Sequence, residues 1–225
     1  LAEAIGSGIY APGQRLPSEH ALAEQFGVNR HTIRRSLASL CNQGLVRITQ
    51  GSGTYVEDFA VDLVLGKRTR HQQGLAQAGL RGSLVVLHEQ VVPATAAMAK
   101  ALQVPVRSKV LALRVMGEAA GQPLHISERC FPLPRFEGLA AAVRDTGSIT
   151  AGFAAQGIAD YTRRESRITA ELPDAQVATE LRQPASRPVL LVESLNVDPA
   201  GVPIEWARAW FAGDRVKLTI AHDEH

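Results

Sequence analysis

Apolar residues are spaced differently in the two parts of the chain. Between residues 9 and 56 they recur three or four positions apart and then fall in two short β-rich runs, which predicts short helices followed by a hairpin. From about residue 84 the pattern changes to strand-like runs at 84–92, 110–116, 124–130, 162–170, 189–198, 204–211 and 216–220, with helical stretches at 94–102 and 175–181. Strands mixed with helices, without a regular alternation of the two, predict an α+β fold with a mainly antiparallel sheet.

The first part of the chain has the order of signals that a helix-turn-helix requires. Ser18 is a candidate N-cap of a first helix, Gly27 allows a tight bend, and Asn29 can cap a second helix over residues 30–42. Gly44 is a candidate left-handed residue at the end of this helix. The second helix has a periodic apolar stripe that we expect to be buried, formed by Ile33, Leu37 and Leu40. Two helices joined by a short glycine-containing turn are typical of DNA-binding proteins.

The polar face of the second helix carries side chains suited to DNA recognition, which are Arg30, His31, Thr32, Arg34 and Arg35. From a helix in the major groove, guanidinium groups can reach phosphates or the O6 and N7 atoms of guanine. The net charge of the chain is +2. This excess lies in residues 1–70, whereas the basic and acidic side chains of residues 71–225 balance. Because the excess is small, the placement of arginines on one helix indicates a nucleic-acid partner better than the net charge does.

A predicted hairpin follows this helix directly. Two β-rich runs at 45–49 and 54–56 enclose a turn of small or polar residues, Gln50, Gly51, Ser52 and Gly53. In this position the hairpin is the wing of a winged helix-turn-helix. Small residues at its tip allow backbone amides to approach a phosphate or the minor groove, so we predict that these four residues contact DNA.

The pattern predicts three segments: a DNA-binding domain at 1–58, a polar and basic linker at 59–73, and an effector-binding domain at 74–225. The chain begins at Leu1 within an apparent helix, so we expect this helix to be truncated. Its sequence has no signal-peptide pattern and no run of apolar residues long enough to cross a membrane. Together with two widely separated cysteines, these features lead us to expect a cytoplasmic protein without a disulfide framework.

The N-terminal motif closely resembles the GntR family of bacterial repressors. The resemblance rests on Pro12-Gly-Gln-Arg-Leu-Pro-Ser-Glu19, Phe26-Gly-Val-Asn-Arg-His-Thr-Ile-Arg34, Gly44-Leu-Val and Gly51-Ser-Gly-Thr-Tyr-Val56. That family usually has Ser or Thr where Asn29 stands, and Asn caps a helix equally well. The resemblance implies that Arg30, Thr32 and Arg34 contact the operator, that Gln50 and Gly51 contact it from the wing, and that His20 reaches the DNA backbone.

The remainder of the chain resembles the effector domain of the HutC branch, which is called the UTRA domain and has a chorismate-lyase-like α+β fold. The motifs that carry this resemblance include Val110-Leu-Ala-Leu-Arg-Val115, Ser127-Glu-Arg-Cys-Phe-Pro132, Gly147-Ser-Ile-Thr150 and Gly201-Val-Pro-Ile-Glu205. Within that branch, 160–167, 196–198 and 212–215 look most like the phosphonate-utilisation (PhnF-type) regulators. The resemblance implies a homodimer whose operator affinity is controlled by a small effector.

In related sensors, arginines and a serine-bearing helix start hold the anionic group of the ligand. The resemblance places Arg114 and the segment of Ser148, Ile149 and Thr150 in these roles here, and a helix beginning there would offer free N–H groups to an anion. We expect Glu128 and Glu205 to accept from hydroxyl or amino groups of the effector. Arg208 and Trp210 share one strand face with Trp206 and can close the pocket.

Each of these assignments has a structural alternative that the sequence leaves open. Arg114 can form an ion pair with Glu128, Ser148 and Thr150 can act only as helix caps, and the tryptophans can be packing residues. The basic cluster of Arg163, Arg164 and Arg167 is expected to be solvated or paired with Glu165. A phosphonate, a phosphate ester, an amino-sugar derivative or a carboxylate such as a histidine-pathway compound would each suit an arginine-rich pocket.

An enzyme related to chorismate lyase is the main competing hypothesis for function. The sequence has no nucleophile elbow, no paired Cys/His motif and no phosphate-binding Walker loop, so we predict no catalytic residues and no cofactor. His222 and His225 in the terminal segment are expected to be solvated, and we predict no metal site. The sequence therefore favours a repressor that binds double-stranded operator DNA as a homodimer, responds to a small anionic effector and does not act at a membrane.

Overall fold

The computed structural model of the chain describes residues 1–6, 9–11, 13–42, 45–56, 61–66, 82–119, 121–213 and 215–220. These residues form two compact units, Leu1–Ala60 and Val61–His225. Among them, no helix combines the length and the apolar character that a bilayer crossing requires. His222 and His225 lie outside the described residues.

The described residues of the N-terminal unit form five elements: α1 (Ala2–Gly6), α2 (Glu19–Phe26), α3 (Arg30–Asn42), β1 (Val46–Thr49) and β2 (Gly53–Val56). Both predicted caps are present. The Ser18 Oγ atom accepts from the Ala21 N–H at 3.2 Å, and Asn29 Oδ1 accepts from the Thr32 N–H at 2.9 Å. Gly27 ends α2 in the left-handed conformation with φ 63°. The cap predicted at Gly44 lies outside the described residues.

The core of this unit is the predicted apolar stripe of α3 packed against the other elements. Ile33, Leu37 and Leu40 are buried together with Leu22 of α2 and Val46 of β1. Strands β1 and β2 pair antiparallel. The tight turn that joins them has a positive φ at Gly51, a conformation that favours glycine. The structure therefore confirms the predicted winged helix-turn-helix.

The second unit is built on a six-stranded sheet with the order β4-β5-β6-β9-β8-β7, in which all neighbouring strands are antiparallel. The strands are β4 (Gly82–Pro93), β5 (Lys109–Ala119), β6 (Gln122–Pro132), β7 (Thr162–Glu171), β8 (Val189–Val197) and β9 (Pro203–Ala212). Four helices are described with them: α4 (Ala96–Leu102), α5 (Leu139–Thr146), α6 (Ile149–Ala155) and α7 (Ala175–Glu180). The α+β prediction is confirmed, although the sequence pattern did not indicate α5.

Both faces of this sheet are covered by helices. Helices α5 and α6 pack with Leu111, Leu113 and Phe131 into one core, on what we call the α6 face. The opposite face, which we call the α4 face, packs α4 onto Val110 and α7 onto Ile126 in two smaller cores. Because successive residues of a strand point to opposite faces, each polar side chain of the sheet belongs to one face or the other.

A separate two-stranded sheet corrects the prediction for residues 61–65. The sequence predicts a linker at these positions, but they form β3 (Val61–Leu65), which pairs in parallel with β10 (Val216–Ile220). Val61, Leu63 and Leu65 are buried, so the segment has the alternation of a half-buried strand. The basic residues that follow it masked this short pattern in the sequence. Residues 67–73 of the predicted linker lie outside the described residues.

Candidate functional site

The predicted recognition residues lie together on the exposed side of α3. Arg30, His31, Thr32, Arg34 and Arg35 all have solvent-exposed side chains, whereas Ile33 points into the core. The helix begins at Arg30, so the first turn presents most of these groups at one end of the helix. This is the end that a recognition helix inserts into the major groove.

Glu19 binds two of these arginines, a contact that the sequence analysis did not predict. Its carboxylate accepts from Arg34 Nε at 3.2 Å and from Arg34 Nη2 at 2.8 Å, and Arg30 Nη2 lies 3.9 Å away. The hydrogen bond from Arg34 holds the pKa of Glu19 below its ordinary value, and the same bond raises the pKa of Arg34. Glu19 is the first residue of α2, where a carboxylate is also favoured by the helix dipole.

The other predicted DNA contacts lie on α2 and at the wing tip. His20 is exposed and its Nε2 atom lies 3.3 Å from Glu24 Oε1 on the same helix. At the tip, the Ser52 N–H donates to the Thr49 carbonyl at 2.9 Å. The Ser52 hydroxyl lies 2.7 Å from the Tyr55 hydroxyl. Gln50 and Gly51 are exposed, whereas Ser52 and Gly53 are half-buried.

The structure divides the predicted effector residues between the two faces of the sheet. Ser148, Ile149 and Thr150 begin α6, and Glu205 shares the α6 face with them. Four other residues lie on the opposite, α4 face: Arg114, Glu128, Arg208 and Trp210. The expectation of one pocket lined by all eight is therefore corrected. Strand alternation already separates Glu205 from Arg208, which are an odd number of positions apart.

On the α4 face, ionisable side chains form a row across all the strands of the sheet, and their charges alternate in sign from Arg114 to Arg167. The register aligns His88, Arg114, Glu128, Arg208, Glu193 and Arg167, which we call the charge row. Arg114 donates to Glu128 at 2.7 Å and to both oxygens of Glu180 at 2.7–3.0 Å. Arg208 stacks over the Trp210 ring at 5.0 Å, as their shared face predicted. The ion-pair alternative for Arg114 is thus present in the structure.

The α6 face carries a second polar group, the α6-face cluster of Arg129, Arg163, Asn196 and Glu205. Arg129 Nη1 donates to Glu205 Oε1 at 2.5 Å, and Asn196 Nδ2 donates to Glu205 Oε2 at 2.5 Å. Both carboxylate oxygens of Glu205 are therefore engaged, and its side chain is buried. Arg163 Nε donates to Asn196 Oδ1 at 3.4 Å. Glu205 thus holds the cluster together, and each of its oxygens already accepts one hydrogen bond from a member of the cluster.

The α6-face cluster has more positive than negative charge. It contains two guanidinium groups and one carboxylate, and no carboxylate of the described residues forms an ion pair with Arg163. Burial lowers the pKa of Arg163 below its ordinary value, Glu205 raises it, and the neighbouring Arg129 lowers it. The floor beside the cluster consists of small buried side chains, Ser127, Ser194, Ala207 and Ala209.

The start of α6 reaches this cluster through Tyr161. Thr150 Oγ1 lies 2.9 Å from the Tyr161 hydroxyl, and Tyr161 precedes Arg163 on the same segment. Ser148 caps its own helix by accepting from the Ala151 N–H at 3.2 Å, and Ile149 is buried in the core. Of the three predicted residues, Thr150 has a hydroxyl that is hydrogen-bonded to Tyr161, two positions before Arg163.

Sequence reasoning missed Arg129, Arg163 and Asn196. Arg129 stands next to the predicted Glu128, and only the face on which α6 packs distinguishes the two neighbours. The sequence predicts that Arg163 and Arg167 are both solvated or paired with Glu165, and Arg167 does pair with Glu165 at 2.7 Å. A register shift between Arg163 and Glu165 places Arg163 on the α6 face and Glu165 on the α4 face. Without this bulge, the two side chains would share one face.

Comparison with known proteins agrees with the two units. The family profile for bacterial regulatory proteins of the gntR family matches residues 1–56, and the profile for the UTRA domain matches residues 77–217. An uncharacterized HTH-type transcriptional regulator of Rhizobium meliloti (strain 1021) is 38% identical over 96% of this chain and 89% of its own length. The HTH-type transcriptional repressor PhnF of Mycolicibacterium smegmatis is 30% identical over 92% of this chain and 84% of its own.

A solved structure supports the same conclusion. The crystal structure of PhnF from Mycobacterium smegmatis superimposes with a TM-score of 0.71 at 28% identity, covering 97% of this chain and 96% of that one. These matches confirm the prediction of a regulator and not an enzyme of chorismate-lyase type. The chain belongs to the GntR family of bacterial transcriptional regulators, with an N-terminal helix-turn-helix and a C-terminal UTRA domain.

Proposed function

We propose that this protein is a repressor that binds operator DNA as a homodimer, and that a small anion bound at the α6-face cluster controls its DNA affinity. Half-sites about one helical turn apart suit two recognition helices related by a two-fold axis. The exposed arginines of α3 support DNA contact. Relatives named as repressors, PhnF and the mannosyl-D-glycerate system repressor MngR of Escherichia coli, support the sign of regulation.

The observation that carries the effector site is the charge of the α6-face cluster. Arg163 is partly buried and has one long hydrogen bond. Its positive charge adds to that of Arg129, and Glu205, the one carboxylate of the cluster, is already paired with Arg129. A desolvated guanidinium without its own counter-ion is stabilised when an anion binds beside it. Thr150 and Tyr161 add hydroxyl groups that can donate to the same anion.

A phosphonate or phosphate ester is the effector class we propose first. Two guanidinium groups and two hydroxyls suit a tetrahedral oxyanion, and the similarity to PhnF points in the same direction. The identity to PhnF of Escherichia coli is 29%, however, and that to MngR is 27%. An effector of another pathway, with a carboxylate as its anionic group, is therefore the second candidate.

Thermal unfolding of the whole chain tests the site. We expect an effective anion among methylphosphonate, glycerol phosphate, inorganic phosphate and acetate to stabilise the wild type, by about 2.7 kcal/mol at a hundredfold excess over Kd. Arg163→Gln should abolish this stabilisation. The matched control is Arg164→Gln, because Arg164 is exposed and lies in the bulge next to it, so the control should keep the response. The same anion should release DNA from the wild type.

Three outcomes would contradict the proposal in different ways. If Arg114→Gln abolished the stabilisation by the anion and Arg163→Gln did not, the effector site would lie on the α4 face and not at the α6-face cluster. Stabilisation by no anion would exclude the anionic effector class. An anion that binds without changing DNA affinity would exclude control by that ligand, because an effector must bind the two states unequally. Sedimentation of the free and DNA-bound chain tests the homodimer.

A further inference from the structure

The wing has a third strand-like segment along its second strand. The Leu16 N–H donates to the Thr54 carbonyl at 2.8 Å, and the Val56 N–H donates to the Gln14 carbonyl at 2.9 Å. Arg15 thereby pairs with Tyr55 on one side, while Arg47 of β1 pairs with Tyr55 on the other. These three residues form a row across the wing.

This row points away from the core of the N-terminal unit. Leu16, Val46 and Val56 are buried, and each neighbours a member of the row along the chain. Since adjacent residues of a strand point to opposite faces, Arg15, Arg47 and Tyr55 project to the outer side. Both arginines are exposed. The Arg47 guanidinium lies 4.7 Å from the centre of the Tyr55 ring, and this stacking fixes its position.

Arg15 fills the space that the missing side chain of Gly53 leaves at the wing tip. A Cβ atom built on Gly53 would lie only 2.8 Å from Arg15 Nε. The sequence predicted that this glycine allows DNA to approach the backbone, whereas the structure places a guanidinium there. The tip residues 50–53 carry no charge of their own. Arg15 therefore brings a positive charge to an otherwise neutral tip.

No carboxylate of the described residues forms an ion pair with Arg15. In contrast, Arg30 and Arg34 of the recognition helix are both bound to Glu19. An exposed guanidinium without a bound carboxylate can bind a phosphodiester without first breaking an ion pair. The Tyr55 hydroxyl lies in the same row, 2.7 Å from the Ser52 hydroxyl at the tip, and when Ser52 donates in this pair the Tyr55 proton can be donated to a phosphate.

We propose that Arg15, Arg47 and Tyr55 form a phosphate-binding strip on the wing, which contacts the DNA backbone independently of base sequence. The strip deepens the proposed DNA binding and rests on it. Its role is to anchor the wing and set affinity, whereas the recognition helix reads the bases. Backbone contacts of this kind position a protein on DNA and carry no sequence information.

The test compares two duplexes over a range of salt concentrations, with the full chain. One duplex has a random sequence, and the other is selected by the wild type from a randomised library. We expect Arg15→Ala and Arg47→Ala each to make the slope of log affinity against log salt shallower by about 0.9 on both duplexes, since each removes one phosphate contact. The affinity ratio of the two duplexes should stay unchanged.

Three further variants separate the alternatives. Lys109→Ala removes an exposed positive charge from the second unit and should leave the slope unchanged. Arg15→Lys keeps the charge and should restore the wild-type slope, which a merely structural role of Arg15 would not predict. Arg34→Ala should lower the affinity ratio of the two duplexes.

An unchanged salt slope in both Arg15→Ala and Arg47→Ala would overturn the proposed strip. If Arg34→Ala still lowered the affinity ratio of the two duplexes, the proposed function would remain supported. If the wild type enriched no duplex and bound no random DNA, the proposed function itself would fail.

Discussion

At the scale of single residues, the environment of each arginine decides what it can bind. Arg114 has two carboxylates and is already satisfied. Arg163 has a long hydrogen bond to an amide and no ion pair in the described part of the chain. Arg34 lies between these cases, since it is exposed but held by Glu19. The nearest carboxylate therefore distinguishes Arg114, which stabilises the sheet, from Arg163 and Arg34, for which we propose an anion and DNA as ligands.

Glu19→Gln tests whether the contact with Glu19 controls how Arg34 binds DNA. Glu19 occupies one edge of the Arg34 guanidinium, so it orients the group and keeps it from phosphates. Without the carboxylate, we expect tighter binding to a random-sequence duplex and a lower preference for a selected one. The preference should fall by about 1–3 kcal/mol if Arg34 reads a guanine through two hydrogen bonds. Fluorescence anisotropy on both duplexes measures the change.

The matched control for this prediction is Glu24→Gln. It removes the same charge from the same helix, but Glu24 contacts His20 and not the recognition arginines. We expect a much smaller effect on the preference. Equal effects of the two substitutions would show that the loss of negative charge matters and that the contact with Arg34 does not.

At the scale of elements, strand alternation and register decide which residues can act together. Cross-strand neighbours share a face, so the charge row runs from β4 at one edge of the sheet to β7 at the other, although its members are scattered along the sequence. Opposite charges that face each other across strands stabilise a sheet. Their contributions differ with burial, because solvent screens the exposed pairs.

Two arginines of the charge row should therefore contribute unequally to stability. The Arg114 side chain is 12% exposed and hydrogen-bonded to two carboxylates, whereas Arg208 is 37% exposed and 3.8 Å from Glu193. We expect Arg114→Met to lower the free energy of unfolding by about 2–3 kcal/mol, since it leaves Glu180 without its partner. Arg208→Met should cost less than about 1 kcal/mol. Urea unfolding monitored by circular dichroism measures both, and equal losses would refute this ranking.

At the scale of the whole molecule, a strand that follows the DNA-binding unit belongs to the second unit. β3 pairs in parallel with β10, which is the last described strand of the chain. Val61 N–H donates to the Arg215 carbonyl at 2.7 Å, and the Arg215 guanidinium donates to the Leu181 carbonyl behind α7 at 2.7 Å. Within the second unit, β3 is thus hydrogen-bonded to the end of the chain that also contacts the residue after α7.

Leu63→Ala tests the docking of β3 on the second unit, with Val64→Ala as its control. Leu63 is buried at 5% exposure, whereas the neighbouring Val64 is 39% exposed on the same strand. We expect Leu63→Ala to destabilise the second unit by about 2–5 kcal/mol, because it leaves a cavity in a packed site. Val64→Ala should change stability by less than about 0.5 kcal/mol. Thermal unfolding of the whole chain measures the difference, and similar values for both variants would mean that β3 does not dock as described.

The sequence alone determined the winged helix-turn-helix of the N-terminal unit and the α+β class of the rest. Caps, the glycine bend, the apolar stripe of α3 and the wing are signals between residues a few positions apart, so they can be read without knowing the fold. The six long strands were predicted for the same reason. The helix α5 and the strand β3 were missed, because their short apolar patterns are stabilised by residues far away in the chain.

Only the tertiary structure decided which polar residues share a site. A one-residue bulge moves Arg163 to the face of Arg129 and Glu205, and the packing of α6 decides which of Glu128 and Arg129 lies beneath it. In the same way, the pairing of residue 15 with the wing brings a guanidinium to Gly53. These contacts join residues distant in sequence, and a shift of one position reverses the face of a strand residue. The pattern of the chain therefore defined the elements, while register and packing defined the sites.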